Sequence, residues 1–417
     1  MKHAARTVSL GLVIACTVVT FGLGVAQKAP CASGDWNDGK QYRLLCYTDV
    51  VPLLGTEQLD NGRLPFLNPC RHTDFNCDEY PVLTMYLLRA TAWVSGIHYA
   101  SFYFVNAFVL GVCAVVIAFC LWRMAGRRAL WFALAPTLLL YGTMNWDLFA
   151  VALATAALLA FAARQDEWSG AFLGLGAAAK FFPALLVPSL LFQGLRDREP
   201  DRSVRIIWWS VGSWAATNLP FAIVAMGAWW EFFRFNAKRI PDFDSAWYLA
   251  CDHHLWCPSV KVVNTASAGL FVTVVAVVWW WKRRRTPAFS RWTLGLPILV
   301  AFLLVNKVYS PQYGLWLLPW FALVLTDARW FVAFELTDVA VFLTRFRYFG
   351  SLPPLSAAWG WPAAWLQWAD AARWLVLVAI LVHWVRTEPL PLALGTGGWR
   401  RRAPVPPPPP APQEVFG

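Results

Sequence analysis

Charge is what this chain is short of. Only 14% of its 417 residues are Asp, Glu, Lys or Arg, where soluble domains carry about 25%. Hydrophobic residues make up 58%, and mean hydropathy is +0.47. These values exclude a soluble globular protein and describe a polytopic membrane protein. Acidic residues are the scarcer sign, 24 against 35 basic ones, which leaves a net charge of +11. That excess does not form a nucleic-acid surface. It falls in short clusters between apolar stretches: Arg123, Arg127 and Arg128; Arg196, Arg198, Arg202 and Arg205; Lys282 through Arg285; Arg400 through Arg402. Such clusters mark cytoplasmic loops. No internal repeat is present. What is abundant is tryptophan, 27 residues in all, suited to anchoring at membrane interfaces.

Taking each basic cluster as cytoplasmic fixes a topology. The first apolar stretch, 8–26, follows Lys2 and Arg6 and lacks a clear processing site, so it reads as an uncleaved helix. It places a polar loop, 27–80, outside the membrane, and a second outer loop falls at 227–259. The stretch 169–192 has cytoplasmic charge at both ends. It reads as a hairpin of two short helices broken around Lys180, Phe181, Phe182 and Pro183, with its tip outward. The total is about twelve crossings with both termini inside. Residues 81–97, short and interrupted by Arg89, fit as a juxtamembrane or re-entrant segment; a full span is the alternative. A plasma-membrane domain thus covers 1–387. Residues 388–417 form a cytoplasmic, basic, proline-rich tail whose run of prolines favours a polyproline II rod. It reads as a disordered spacer, with a proline-binding cytoplasmic partner as the other reading.

Cysteine supplies an independent check. Cys31, Cys46, Cys70 and Cys77 fall in the first outer loop, and Cys251 and Cys257 in the second. Even counts on the side assigned to the exterior argue for disulfides. Cys251 pairs locally with Cys257. The other four admit three connectivities, of which Cys31–Cys46 with Cys70–Cys77 is favoured. Cys16, Cys113 and Cys120 lie inside apolar stretches. His253 and His254 beside Cys251 invite a zinc reading, but adjacent histidines on one strand ligate a single ion poorly and the thiols are expected to be oxidised. No metal or other cofactor is expected.

The unusual polar residues gather at the outer ends of the helices: Asp35, Asp38, Asp49, Glu79, Asp147, Lys180, the loop 234–254, Asn306, Lys307, Gln312, Arg345 and Arg347. Ionisable groups beside a bilayer are costly unless they serve a site or snorkel. Several strings among them are similar to a known pattern. Cys46-Tyr-Thr-Asp49, then Gly55-Thr-Glu-Gln-Leu-Asp-Asn-Gly62-Arg-Leu-Pro65, resembles the first loop of the glycosyltransferase family 87 membrane proteins. There an Asp opens an amphipathic helix ending at a Gly-x-x-Pro turn. Glu79-Tyr-Pro-Val-Leu-Thr84, Asn145-Trp-Asp147, Gly174 through Pro183 and Ser310 through Pro319 match later motifs in order. The resemblance runs from about residue 5 to 385. It departs at Val82, where a second proline is common, and in the four-cysteine first loop.

The resemblance implies an all-α bundle of the C-type glycosyltransferase fold. It also implies a polyprenyl-phosphate sugar donor used on the outer leaflet, and a glycolipid or lipoglycan acceptor of the actinobacterial envelope. Family members typically transfer mannose, and related enzymes transfer arabinofuranose. Inverting transfer needs a carboxylate to take the acceptor proton and cations for the departing phosphate. Asp49, the family-matched acid, suits the base; as the residue before a helix starting near Val50 it equally suits an N-cap. Lys180, Lys307, Arg345 and Arg347 are candidates for the phosphate, with snorkelling toward headgroups as their plain alternative. Glu79, Tyr80, Asp147, Tyr309, Gln312 and Tyr313 are candidates for sugar and acceptor. A lipid-linked-sugar transporter or a non-catalytic scaffold are the rival classes. Transport is disfavoured because stretches such as 105–119 and 266–278 lack polar residues through the bilayer.

Overall fold

A computed structural model describes residues 8–71 and 77–388, and among these the only regular structure is helical. The principal helices, numbered along the chain, are α1 (Leu10–Lys28), the short α2 of the first loop (Val50–Thr56), α3 (Val82–Val94), α4 (Tyr99–Ala125), α5 (Asp147–Ala162), α6 (Asp166–Ala179) and α7 (Val187–Arg196). They continue with α8 (Pro200–Val224), α9 (Val260–Arg285), α10 (Gly295–Val305), α11 (Gly314–Val324), α12 (Ala328–Ser351) and α13 (Ala363–Arg386). Among the described residues, four segments are long and apolar enough to cross a membrane by length and composition: Leu10–Cys31, Tyr99–Ala133, Val260–Arg285 and Ala363–Arg386. Shorter apolar helices fill the space between them, and the chain is a polytopic membrane protein. The proline-rich tail and Arg400 through Arg402 lie outside the described residues.

Local sequence explains most of the boundaries. Ser9 caps α1, its hydroxyl accepting from the Leu12 amide. Asp166 and Glu167 sit in the first turn of α6, where carboxylates suit the positive end of the helix. The apolar stretch after Arg128 is split into two short helices, Ala129–Ala133 and Pro136–Tyr141, because Pro136 cannot continue the first. Residues 82–94 form a single helix of 13 residues, about 20 Å at the helical rise. That is shorter than the roughly 30 Å hydrocarbon core.

Helices α6 and α8 run parallel. Asp166 meets Arg202, Gly170 meets the Ile206 carbonyl, and Gly174 meets the Ser210 carbonyl. A Cβ on Gly174 would collide with that carbonyl oxygen, so only glycine permits the approach. Helix α7 runs antiparallel to α8, with the Ser203 hydroxyl donating to the Leu191 carbonyl. Helices α6 and α7 are therefore a hairpin, turned at Lys180 in extended conformation (φ −155°, ψ 142°) and at Pro183. The basic residues Arg196, Arg202 and Arg205 lie at its open end and Lys180 at its tip. The same polarity holds elsewhere: α9 meets the cavity described below at Asn264, about one turn from its start, and Lys282 follows 18 residues on, about 27 Å away.

Three disulfides join Cys31 to Cys46, Cys70 to Cys77, and Cys251 to Cys257, while Cys16, Cys113 and Cys120 are free. The first loop is further braced by Arg63, which donates to both oxygens of Asp78 (2.9 and 3.0 Å) in a buried pair. Glu57 accepts from the backbone amides of Asp78 (2.7 Å) and Glu79 (3.2 Å). Burial pushes its carboxyl up to about 8. This clamp leads the chain from residue 78 into the site.

Candidate active site

A cavity of about 700 Å³ opens where α2, the start of α5, the α6–α7 tip and the segments around 236–239 and 306–313 converge. Asp49 lies in its wall. The sequence left open whether this carboxylate caps α2, and the geometry shows that it makes no capping hydrogen bond. Thr48 does that work, its hydroxyl accepting from the Val50 amide at 3.2 Å and donating to the Thr143 carbonyl at 2.6 Å. The Asp49 amide donates to the Met144 carbonyl (2.8 Å), tying the first loop to the turn before α5. The carboxylate is left to the cavity. Its Oδ1 accepts from Tyr47 Oη (2.7 Å) and its Oδ2 from Asn145 Nδ2 (2.9 Å). Asn145 also donates to Tyr80 Oη at 2.8 Å. Burial, with the Asp49 charge beside them, holds the Tyr47 and Tyr80 phenols well above their ordinary range. Both stay protonated donors. Since the Tyr80 oxygen already accepts from Asn145, its proton is free for a ligand.

Three cations face the same space: Lys180, Arg239 and Lys307. Lys180 Nζ sits 2.8 Å from Asp147 Oδ2, and Trp316 Nε1 donates to Asp147 Oδ1 at 2.6 Å. Lys180 also lies over the Tyr313 ring, which stacks on Trp316 with centroids 4.1 Å apart. Lys307 Nζ contacts the Ala237 carbonyl (3.3 Å), and burial, with Arg239 adding, lowers it to about 8. Glu79 is the second acid of the wall. Burial raises it to about 7 against the pull of Arg239, with Glu231 and Asp49 adding to the rise. Ser310, Gln312 and Tyr313, with Asn236, Asn264 and Asn306, add further polar groups to the lining.

Four residues expected at the site sit elsewhere or do something else. Asp147 is fully buried, with both oxygens engaged, so it anchors Lys180 and does not face the cavity. Arg345 and Arg347, expected as a pair on the phosphate, are two apart on α12 and so point in different directions. Arg345 turns inward to a buried pair with Asp242 (3.1 Å) and Asp244, and Arg347 lies over the Trp359 ring. Tyr309 is buried beneath the Arg373 guanidinium, 3.9 Å from its ring centroid. Arg345 still bears on the site indirectly. Asp242, which it holds, donates its amide to the Lys307 carbonyl (2.8 Å) and lies 3.7 Å from Arg239. His253 meets Gln367 (3.1 Å), and its neighbours Cys251 and Cys257 are bridged, so the zinc reading has no thiolate to offer.

Sequence reasoning passed over Arg239 and Tyr47. Arg239 lay inside the polar loop 234–254 without a motif to single it out, and Tyr47 lay beside Asp49 in the first-loop string. A second, apolar groove of about 440 Å³ adjoins the cavity and shares Tyr80, Pro81, Phe181, Phe232 and Phe233 with it. Its far wall comprises Leu173, Ile207, Val211 and Trp214 of α6 and α8.

The model of glycosyltransferase family 87 matches residues 79–311, more than half of the chain. The chain belongs to glycosyltransferase family 87. The matched span takes in Glu79, Asn145, Lys180, Arg239 and Lys307, and Asp49 precedes it. Among solved structures, the chain is similar to ArnT from Cupriavidus metallidurans in its crystal structure bound to undecaprenyl phosphate. Identity is 13%, with 91% of this chain and 78% of that one covered and a TM-score of 0.47. No curated protein matches. Membership in family 87 gives the two acids and three cations of the cavity a common context, the transfer of a sugar.

Proposed function

We propose that this family 87 member is an inverting, polyprenyl-phosphate-dependent mannosyltransferase of the C-type fold. It moves the sugar to a glycolipid or lipoglycan acceptor at the outer face of the plasma membrane. The observation that carries the reading is the position of the Asp49 carboxylate. It is spared from helix capping and faces, across one cavity, Lys180, Arg239 and Lys307. The acceptor hydroxyl oxygen attacks the anomeric carbon and its proton passes to Asp49. The bond from that carbon to the phosphate oxygen breaks, and the phosphate leaves with the electron pair, its charge met by the three cations. Asn145 and Tyr47 orient the base, and Tyr80 donates to a sugar or phosphate oxygen. The adjoining apolar groove suits the prenyl chain of the donor.

Outward placement rests on polarity: the cavity lies at the helix ends opposite Arg196, Arg202, Arg205 and Lys282 through Arg285, the clusters that mark a cytoplasmic face. The bridged cysteines of the first loop accord with an oxidising side. On this reading 1–387 is the membrane domain and 388–417 a cytoplasmic tail. The test is a membrane-fraction assay with radiolabelled polyprenyl-phosphate mannose. Label passing to a lipid acceptor supports the reading, and no transfer of label by the wild-type protein refutes it.

A further inference from the structure

A second concavity, of about 540 Å³, lies on the other side of helix α2. Val51, Pro52, Gly55 and Thr56 face it, whereas Asp49, Pro52, Leu53 and Thr56 face the main cavity. Pro52 and Thr56, four residues apart and hence on one stripe of the helix, are therefore a ridge common to both spaces. Two aromatic side chains, Trp36 and Tyr99, wall the outer space, and Ser33 and Asp35 present a hydroxyl and a carboxylate at its rim. Trp36 is held in place by donating to the Cys31 carbonyl (3.1 Å). Its ring is 5.6 Å from that of Tyr47, the tyrosine that donates to Asp49. Tyr99 can lie against α2 because residue 55 is glycine; a Cβ there would be 2.7 Å from its phenol oxygen.

Flat aromatic faces with hydroxyl and carboxylate groups beside them fit a sugar ring, whose C–H faces pack on the aromatics and whose hydroxyls pair with the polar rim. We infer that this space is a subsite for the acceptor, holding the sugar unit next to the one that receives transfer. The acceptor chain crosses the Pro52–Thr56 ridge. The inference rests on the glycosyl-transfer reading of the main cavity, and adds that the acceptor already carries at least two sugars.

Full-length protein in detergent is given polyprenyl-phosphate mannose and one of two acceptor probes, octyl α-mannoside or the corresponding octyl dimannoside. The expected result is a KM for the dimannoside lower by about tenfold, the scale of one or two well-made polar and stacking contacts. Ser33→Trp, which fills the outer space without touching the base or the cations, should erase that advantage. It should leave KM for the monomannoside and for the donor unchanged, so retained activity on the short probe shows that the variant is folded. Asp35→Asn, which keeps the backbone shape, should lose a smaller part of the same advantage. The subsite is overturned if the second sugar gives no gain in KM, or if Ser33→Trp changes both probes equally. Failure of the wild-type protein to transfer to either probe would instead strike the glycosyl-transfer reading itself.

Discussion

Asp49→Asn separates catalysis from folding. The replacement keeps the shape and removes the charge. The introduced amide can accept from Asn145 Nδ2 with its carbonyl oxygen and donate to the Tyr47 hydroxyl, which rotates to receive it; the present bonds are 2.9 and 2.7 Å. The backbone bond to Met144 and the Thr48 cap are untouched. Exchanging a charged for a neutral hydrogen-bonded pair should cost about 1 kcal/mol of stability. The proton acceptor, however, is gone, and a positioned general base contributes roughly 10²- to 10⁴-fold. At about 1.36 kcal/mol per decade that is about 3–5 kcal/mol of barrier. The assay is initial-rate transfer from radiolabelled polyprenyl-phosphate mannose in detergent, with melting temperature measured in parallel. We expect kcat to fall at least about a hundredfold and donor KM to change little. Transfer above about a tenth of the wild-type rate, with normal melting, would show that Asp49 is not the base.

Three further outcomes follow from the geometry. Donor KM should rise as pH passes from about 7 to about 9, because Glu79 gains its charge near 7 and Lys307 loses its charge near 8. Both changes turn the wall against a phosphate. Lys307→Arg should remove the upper part of that rise and Glu79→Gln the lower, and a pH–KM profile unaltered in both variants would discard the assignment. Arg63→Met should destabilise the first loop by roughly 3–5 kcal/mol, since Asp78 would be buried without its partner; thermal unfolding in detergent checks it. Gly174→Leu should prevent α6 and α8 from meeting, as no side chain fits against the Ser210 carbonyl. Loss of monodisperse protein in size-exclusion chromatography is the expected result.

What depends on local composition could be read along the chain. Apolar length and basic flanks gave the long helices. A proline after Lys180 gave the turn of the α6–α7 hairpin, and short separations in the loops favoured the cysteine pairs that are found. The position of Asp49 in a string shared with family 87 pointed to the first loop. Which charges meet depended on the folded arrangement. Arg345 looked as available as Lys180, yet Asp242 and Asp244, more than a hundred residues away, neutralise it in the interior. Arg239 took a place in the wall that no motif announced, and Asp147 became the support of Lys180. A side chain's charge is written in the sequence, whereas its direction and its partner are set by packing between segments far apart along the chain.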